Sequence, residues 1–177
     1  PLFVTGHFGA WEVLGQAFSE LLPATTIAKR LHNPLVQRQV DRARKRRNLG
    51  VIYTGQDGPR EVVRALKDKS RALNVLADQD YGHAGIFVNF FGQPASTTPS
   101  PASFALKFGR PIFPLFMLRL GPTRCQCIIQ DPILPENAEG ETKAEQIEWI
   151  TQQYTKEIED MARLHPGQYF WFHRRWK

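Results

Sequence analysis

The sequence predicts a single α/β domain with a central mixed, mostly parallel sheet flanked by helices. Strand-like and helix-like runs alternate along the chain. Its 177 residues, 42% of them hydrophobic, are the length of one domain with a real core. No repeat, low-complexity tract or change of composition marks a boundary, so residues 1–177 read as one unit.

Leu2–Thr5 is apolar and reads as the first strand. Trp11, Leu14, Ala17, Phe18, Leu21 and Leu22 fall near helical spacing and predict a helix over 10–22, ended by Pro23. Thr25–Lys29 is β-branched and short, a second strand. Asn33-Pro34 opens a helix to about Arg47, and Asn48-Leu49-Gly50 closes it before a strand at Val51–Tyr53. Asp57-Gly58-Pro59 starts a helix running to Lys67, and Leu73–Ala77 is a buried strand that ends in Asp78-Gln79-Asp80-Tyr81-Gly82. Residues 82–98 read as a long loop, with an apolar stretch at Ile86–Phe91. Ser100–Phe108 is a short helix. Ile112–Leu118 and Arg124–Ile129 form an antiparallel pair through Gly121-Pro122. A polar connection leads to a long helix over 142–164. The tail, Tyr169 to Lys177, is aromatic and basic by turns, a terminal strand or an aromatic clamp.

The formal charge of +6 points to an anionic partner: phosphate, acidic lipid, acidic protein or nucleic acid. No nucleic-acid module pattern is present, so nucleic acid is the least favoured. Cys125 and Cys127 sit two apart in a strand, where a disulfide is strained and a zinc site lacks further ligands at the right spacing. Both read as ordinary reduced thiols. No run approaches about 18 apolar residues, the minimum for a membrane span. The chain opens at Pro1 directly before a strand, and is expected to be a fragment lacking an amino-terminal part.

The chemistry-bearing pattern is His7-Phe8-Gly9-Ala10-Trp11-Glu12. The first strand delivers His7 to its carboxyl end, where open α/β sheets put their sites. Glu12, a little over one helical turn on, is expected to reach back and orient the imidazole as a general base. A lone histidine near a carboxylate is more often a surface pair, so the rest of the chain has to carry the case. The second helix bears Arg38, Arg42, Arg44, Lys45, Arg46 and Arg47 with only Asp41 as an acidic neighbour, a cluster that suits a phosphate or an acidic carrier. Asp78 and Asp80 could bind a metal, act as an acid/base pair or hold arginines. The last is favoured because no further ligand lies nearby in sequence, so no metal is expected. Phe87, Phe90 and Phe91 are core cover or an acyl-chain or membrane contact. There is no Gly-x-Ser-x-Gly elbow, no Walker loop and no Gly-x-Gly-x-x-Gly, which disfavours a serine hydrolase, a P-loop enzyme and a dinucleotide oxidoreductase.

Taken in order, these segments resemble the lipid A biosynthesis lauroyl/myristoyl acyltransferases of Gram-negative bacteria, within the glycerolipid acyltransferases marked by a His-x4-Asp/Glu motif. The matching stretches are Gly6 to Glu12, Lys29 to Pro34, Asp78 to Gly82, Gly85 to Gly92, Ala95 to Thr98 and Trp171 to Lys177. The resemblance implies a catalytic pair at His7 and Glu12. It also implies a functional arginine at Arg44 and a functional aspartate at Asp78, with Arg30 and Asp80 as further site-organising residues. His83 and Asn89 stand where the family often has proline. The implied reaction is transfer of a fatty acyl group from an acyl carrier protein thioester to a hydroxyl of a lipid A precursor, without a cofactor. The implied place is the cytoplasmic face of the bacterial inner membrane, held by an anchoring segment absent from this chain. Alternatives are another glycolipid or a lysophospholipid as acceptor, a coenzyme A thioester as donor, and a non-catalytic membrane-binding module.

Overall fold

The structure is a computed structural model and describes residues 1–55 and 58–176. A six-stranded sheet has the order β3-β2-β4-β1-β7-β8. Its strands are β1 (Leu2–Thr5), β2 (Ala24–Ala28), β3 (Gly50–Tyr53), β4 (Ala72–Leu76), β7 (Ile112–Arg119) and β8 (Cys125–Ile129). All neighbours run parallel except β7 and β8, so the sheet is mixed and mostly parallel, as the sequence predicts.

Alternation along the strands makes two apolar layers. Leu2, Val4, Leu73, Val75, Ile112 and Phe116 point to one face and belong to the larger core. That face is covered by α3 (Gly58–Lys67), α4 (Ser100–Phe108) and α5 (Lys143–Leu164), whose Leu66, Ala105, Ile150, Tyr154 and Ile158 join the same core. Phe3, Ala72, Leu115 and Met117 point the other way, onto Leu14 of α1 (Trp11–Leu21). Leu21 does not share in this core and is 80% exposed at the end of α1.

Local signals fix the helix ends. Asn33 caps α2 (Pro34–Arg46) by accepting from the amides of Leu35 and Val36 at 2.9 and 3.3 Å. Asn48, at φ 56°, then turns the chain out of α2. Thr142 and Glu145 form a reciprocal capping box at the start of α5. The start of α3 at Asp57 lies outside the described residues.

Residues 82–98 are not a loop. Ile86–Phe90 (β5) and Gln93–Thr97 (β6) form a separate antiparallel hairpin laid on α5. Its alternation of Val88 and Phe90 inward with Phe87 and Asn89 outward was in the sequence, masked by the flanking glycines and Pro94. Among the described residues the tail makes no strand beyond a bridge between Phe8 and Tyr169. Cys125 and Cys127 are unpaired and exposed.

A buried arginine closes the bottom of the sheet. Arg110, 5% exposed, donates to the carbonyls of Leu66 at 3.0 Å, Pro1 at 3.2 Å and Arg71 at 2.5 Å, with longer contacts to Ala65 and Asp68. It satisfies the last carbonyls of α3, which no residue of the helix can. Replacing it takes a donor from several carbonyls at once, the buried Leu66 O among them. Arg110→Met is expected to lower unfolding free energy by about 3 kcal/mol, read from the urea midpoint at unchanged slope. A loss below about 1 kcal/mol would contradict this account.

Candidate active site

Strand register builds the site. β1 and β4 are parallel neighbours with Thr5 opposite Leu76. Two residues on, at the carboxyl edge of the sheet, His7 therefore stands opposite Asp78. The Asp78 carboxylate grips His7 twice: Oδ2 accepts from the backbone N–H at 2.7 Å and Oδ1 meets Nδ1 at 2.8 Å. Gly6 permits this approach, because a Cβ there would stand 3.2 Å from Asp78 Oδ2 and 3.1 Å from Ile158. At Gly9, φ is 55° and a Cβ would overlap the Met117 carbonyl, so the chain crosses β7 only through glycine. Ala10 then bonds to Met117 O at 2.8 Å and α1 begins.

The electrostatics set the tautomer. Asp78 is 1% exposed. Burial pushes its carboxyl up, but the His7 ring and amide, and His173 beyond, bring it net below the ordinary value. An ionised Asp78 only accepts, so His7 Nδ1 carries the hydrogen, and in the neutral ring the lone pair is on Nε2. Stability drawn from this carboxylate is complete at neutral pH. It is lost in acid, as pH falls from the ordinary value of 3.8 through the lower folded one.

His7 lines a cleft of about 580 Å³ at the carboxyl ends of β1, β2 and β4. Trp11 and Glu12 of α1, Lys29, Arg30 and His32 after β2, Arg44 of α2, and Gln79, Asp80 and Tyr81 after β4 share the wall. The lining carries more cations than carboxylates. Such a cleft attracts an anionic ligand.

A family model for the bacterial lipid A biosynthesis acyltransferases matches residues 2–177. The chain belongs to this family. It is also similar to the phosphatidylinositol mannoside acyltransferase of Mycolicibacterium smegmatis, 28% identical over 112 residues, covering 62% of this chain and 37% of that protein. The protein of that name from Mycobacterium tuberculosis is 30% identical over 114 residues, covering 61% of this chain and 35% of the relative. The matches thus span about a third of each of these curated relatives.

Within this lipid A acyltransferase family chain, the structure brings most of the expected residues to the cleft but pairs them differently. Glu12 does not orient His7. It lies in the first turn of α1 and meets Arg44, with Oε1 2.7 Å from Nη2 and Oε2 3.3 Å from Nε. Asp78 holds the imidazole instead, not an arginine. Spacing along one chain suggested the local carboxylate, whereas register supplied one 71 residues away. Arg30 stacks on Tyr53, its guanidinium 4.1 Å from the ring centre. Asp80 accepts from Gly82 N at 3.1 Å and shapes the turn beside the cleft.

Of the two readings of the phenylalanines, core cover holds for Phe90 and Phe91, and acyl-chain contact in the cleft does not. Phe90 is 1% exposed, in the core, stacked 5.6 Å from Trp176. Phe91 packs against that core under Arg163, 4.5 Å from its ring centre. Neither lines the cleft; Phe87 is exposed on the hairpin.

The tail supplies what sequence reasoning missed. Phe170 N bonds to His7 O at 2.9 Å, and the His173 ring stands 4.6 Å from the His7 ring. Tyr169 and Arg175 are buried beneath, and the proximity of Asp78 acts on both ionisations. Donor atoms of His7, Asp78 and His173 lie within 4.8 Å of one another, and among the described residues these three could hold a metal ion. No further ligand lies near Asp78 in sequence, but folding brings His7 and His173 to it from opposite ends of the chain. The tail's aromatic-basic run was visible; its place over the site was not.

Proposed function

We propose that this chain is an O-acyltransferase domain that moves a fatty acyl group from an acyl carrier protein thioester to a hydroxyl of a lipid A precursor. The observation that carries the reading is the buried Asp78 carboxylate on Nδ1 of His7, which leaves Nε2 as a base on the wall of a basic cleft. Nε2 takes the hydroxyl proton as the oxygen attacks the thioester carbon. The tetrahedral intermediate collapses, the C–S bond breaks, and the imidazolium protonates the departing sulfur. Asp78 holds the ring and stabilises the imidazolium. The thioester supplies the energy, and the proposal includes no further cofactor.

Arg44, anchored by Glu12, and Arg30 favour a phosphate in the cleft. Arg38, Arg42 and Lys45 line a neighbouring groove on α2, a face suited to an acidic donor protein. Among the described residues no helix is long and apolar enough to cross a membrane. The lipid acceptor is proposed to reach the cleft from the cytoplasmic face of the inner membrane, past Phe172, which is 89% exposed. The names of the relatives support a second acceptor, a mannosylated phosphoinositide, for the same chemistry.

The test is mass spectrometry of acceptors incubated with acyl carrier protein thioesters or coenzyme A thioesters. Acceptors would be a hydroxyacylated lipid A precursor and a phosphatidylinositol mannoside. An added acyl ester on the first, from the carrier protein, is expected. Transfer only to the second, or only from coenzyme A, would reassign that substrate. Intact thioester in every arm would refute the acyl-transfer reading.

A further inference from the structure

We propose that Tyr53 is a positioning residue of the same site, which holds Arg30 on the cleft wall and through it sets the affinity for a phosphate-bearing acceptor. This rests on the acyl-transfer reading and gives the phosphate of that reading a fixed partner.

Arg30 by itself is a poor anchor. It lies in the exposed connection that follows β2, and a long side chain free in water loses rotamer entropy when it grips a ligand. Tyr53 removes part of that cost beforehand. It ends β3 opposite Ala28 of β2, and Thr54 N bonds to Ala28 O at 2.9 Å. Strand pairing thus sets the phenol beside the residues that follow Ala28. The Arg30 guanidinium lies over the ring, 4.1 Å from its centre. Arg30 lines the cleft and Tyr53 does not, so the phenol acts on a ligand only through its neighbours.

The ring is itself fixed from behind. Its hydroxyl donates to Asp41 Oδ1 and accepts from Gln37 Nε2 at 2.6 Å. Gln37 is buried, and its Nε2 also donates to Asp41 Oδ1 at 2.8 Å. The Gln37 Oε1 accepts from Leu31 N at 2.7 Å. One turn of α2 therefore braces both the ring and the backbone next to Arg30. Arg44, on the same helix and the same cleft, is held by Glu12. Both arginines are in place before a ligand arrives, one on a ring and one on a carboxylate.

The test measures binding and turnover of a phosphorylated, hydroxyacylated lipid A precursor in detergent, beside the same precursor stripped of its phosphates. The proteins are wild type, Tyr53→Leu, Tyr53→Phe, Arg30→Ala and the variants that combine Arg30→Ala with each tyrosine change, with thermal melts of all. Tyr53→Leu is expected to raise Kd and KM for the phosphorylated precursor about ten-fold, with kcat changed little. Tyr53→Phe keeps the ring and loses the brace, and is expected to cost about three-fold. Neither change moves the affinity for the stripped precursor. Arg30→Ala is expected to cost about thirty-fold, and either tyrosine change added to it costs nothing more, because the ring acts through Arg30. Losses that add in the combined variants, an equal loss on the stripped precursor, or a loss confined to kcat would overturn the proposal. So would wild-type affinity in folded Tyr53→Leu. If Tyr53→Leu does not fold, Tyr53→Phe and its combination with Arg30→Ala decide by the same comparison. A wild type that binds the precursor yet moves no acyl group refutes the acyl-transfer reading, whereas the shifts in Kd still judge Tyr53.

Discussion

Asparagine at Asp78 is expected to reduce turnover by about 10³ to 10⁴-fold, nearly as much as alanine at His7. The reason is the tautomer. An asparagine side chain fills the same space, and its Oδ1 can still accept from the His7 amide. Its other atom is then an NH₂ that can only donate toward Nδ1. That forces the ring hydrogen onto Nε2, where the lone pair is needed. The substrate contacts are untouched, so KM stays close to wild type and the loss falls in kcat. Glu12→Gln makes the contrast. Glu12 is a partner of Arg44, not of the ring, and is 47% exposed at its side chain. Its loss frees Arg44 and is expected to cost about ten-fold, mainly in KM for the phosphate-bearing substrate. Kinetics of His7→Ala, Asp78→Asn and Glu12→Gln side by side decide the matter. A Glu12→Gln variant as impaired in kcat as Asp78→Asn would return Glu12 to the imidazole and displace Asp78.

The contrast between these two carboxylates shows what the sequence can and cannot carry. Runs such as Leu2–Thr5 and the spaced apolar residues of α1 encode local conformation, and both are found where periodicity puts them. Caps at Asn33 and Thr142 are equally local and equally legible. Strand order is not local. Nothing within residues 1–12 says that β4, not β2, lies beside β1, and that adjacency alone chooses Asp78 for His7. The hairpin at 86–97 was hidden for another reason. Its period-two pattern is only five residues per strand, and glycines at its ends read as loop punctuation. Phe90 then read as part of an apolar stretch in a loop, either core cover or a candidate for acyl-chain or membrane contact. Paired with β6 and packed on α5, it is core.

Arg175 joins these two misjudged segments, and its replacement is expected to have the largest combined effect on stability and activity outside the His7–Asp78 pair. The residue is 3% exposed. Nη1 donates to Ser96 O and Nη2 to Thr97 Oγ1, both at 2.5 Å, so the tail is pinned to β6. Its guanidinium lies 5.2 Å from the Phe90 ring centre. Burial pulls its ionisation down, while Tyr169, Asp78 and Asp80 hold the charge in place. The cation thus balances Asp78 while its backbone steadies His173. Arg175→Met keeps much of the volume but leaves Ser96 O without this donor and Asp78 without this neighbouring charge. The expected cost is about 3 kcal/mol of unfolding free energy. Turnover is expected to fall by about ten-fold or more even where the variant is folded, because the tail that bonds the His7 carbonyl through Phe170 N is no longer pinned to β6. Arg175→Lys retains the charge but cannot span both acceptors, so it should lie between wild type and Arg175→Met in both readouts. Urea titration and kcat on the three proteins test this. If Arg175→Met unfolds at the wild-type midpoint, the tail is not held by this arginine. If it is destabilised yet turns over normally, the tail stabilises the fold without serving the chemistry.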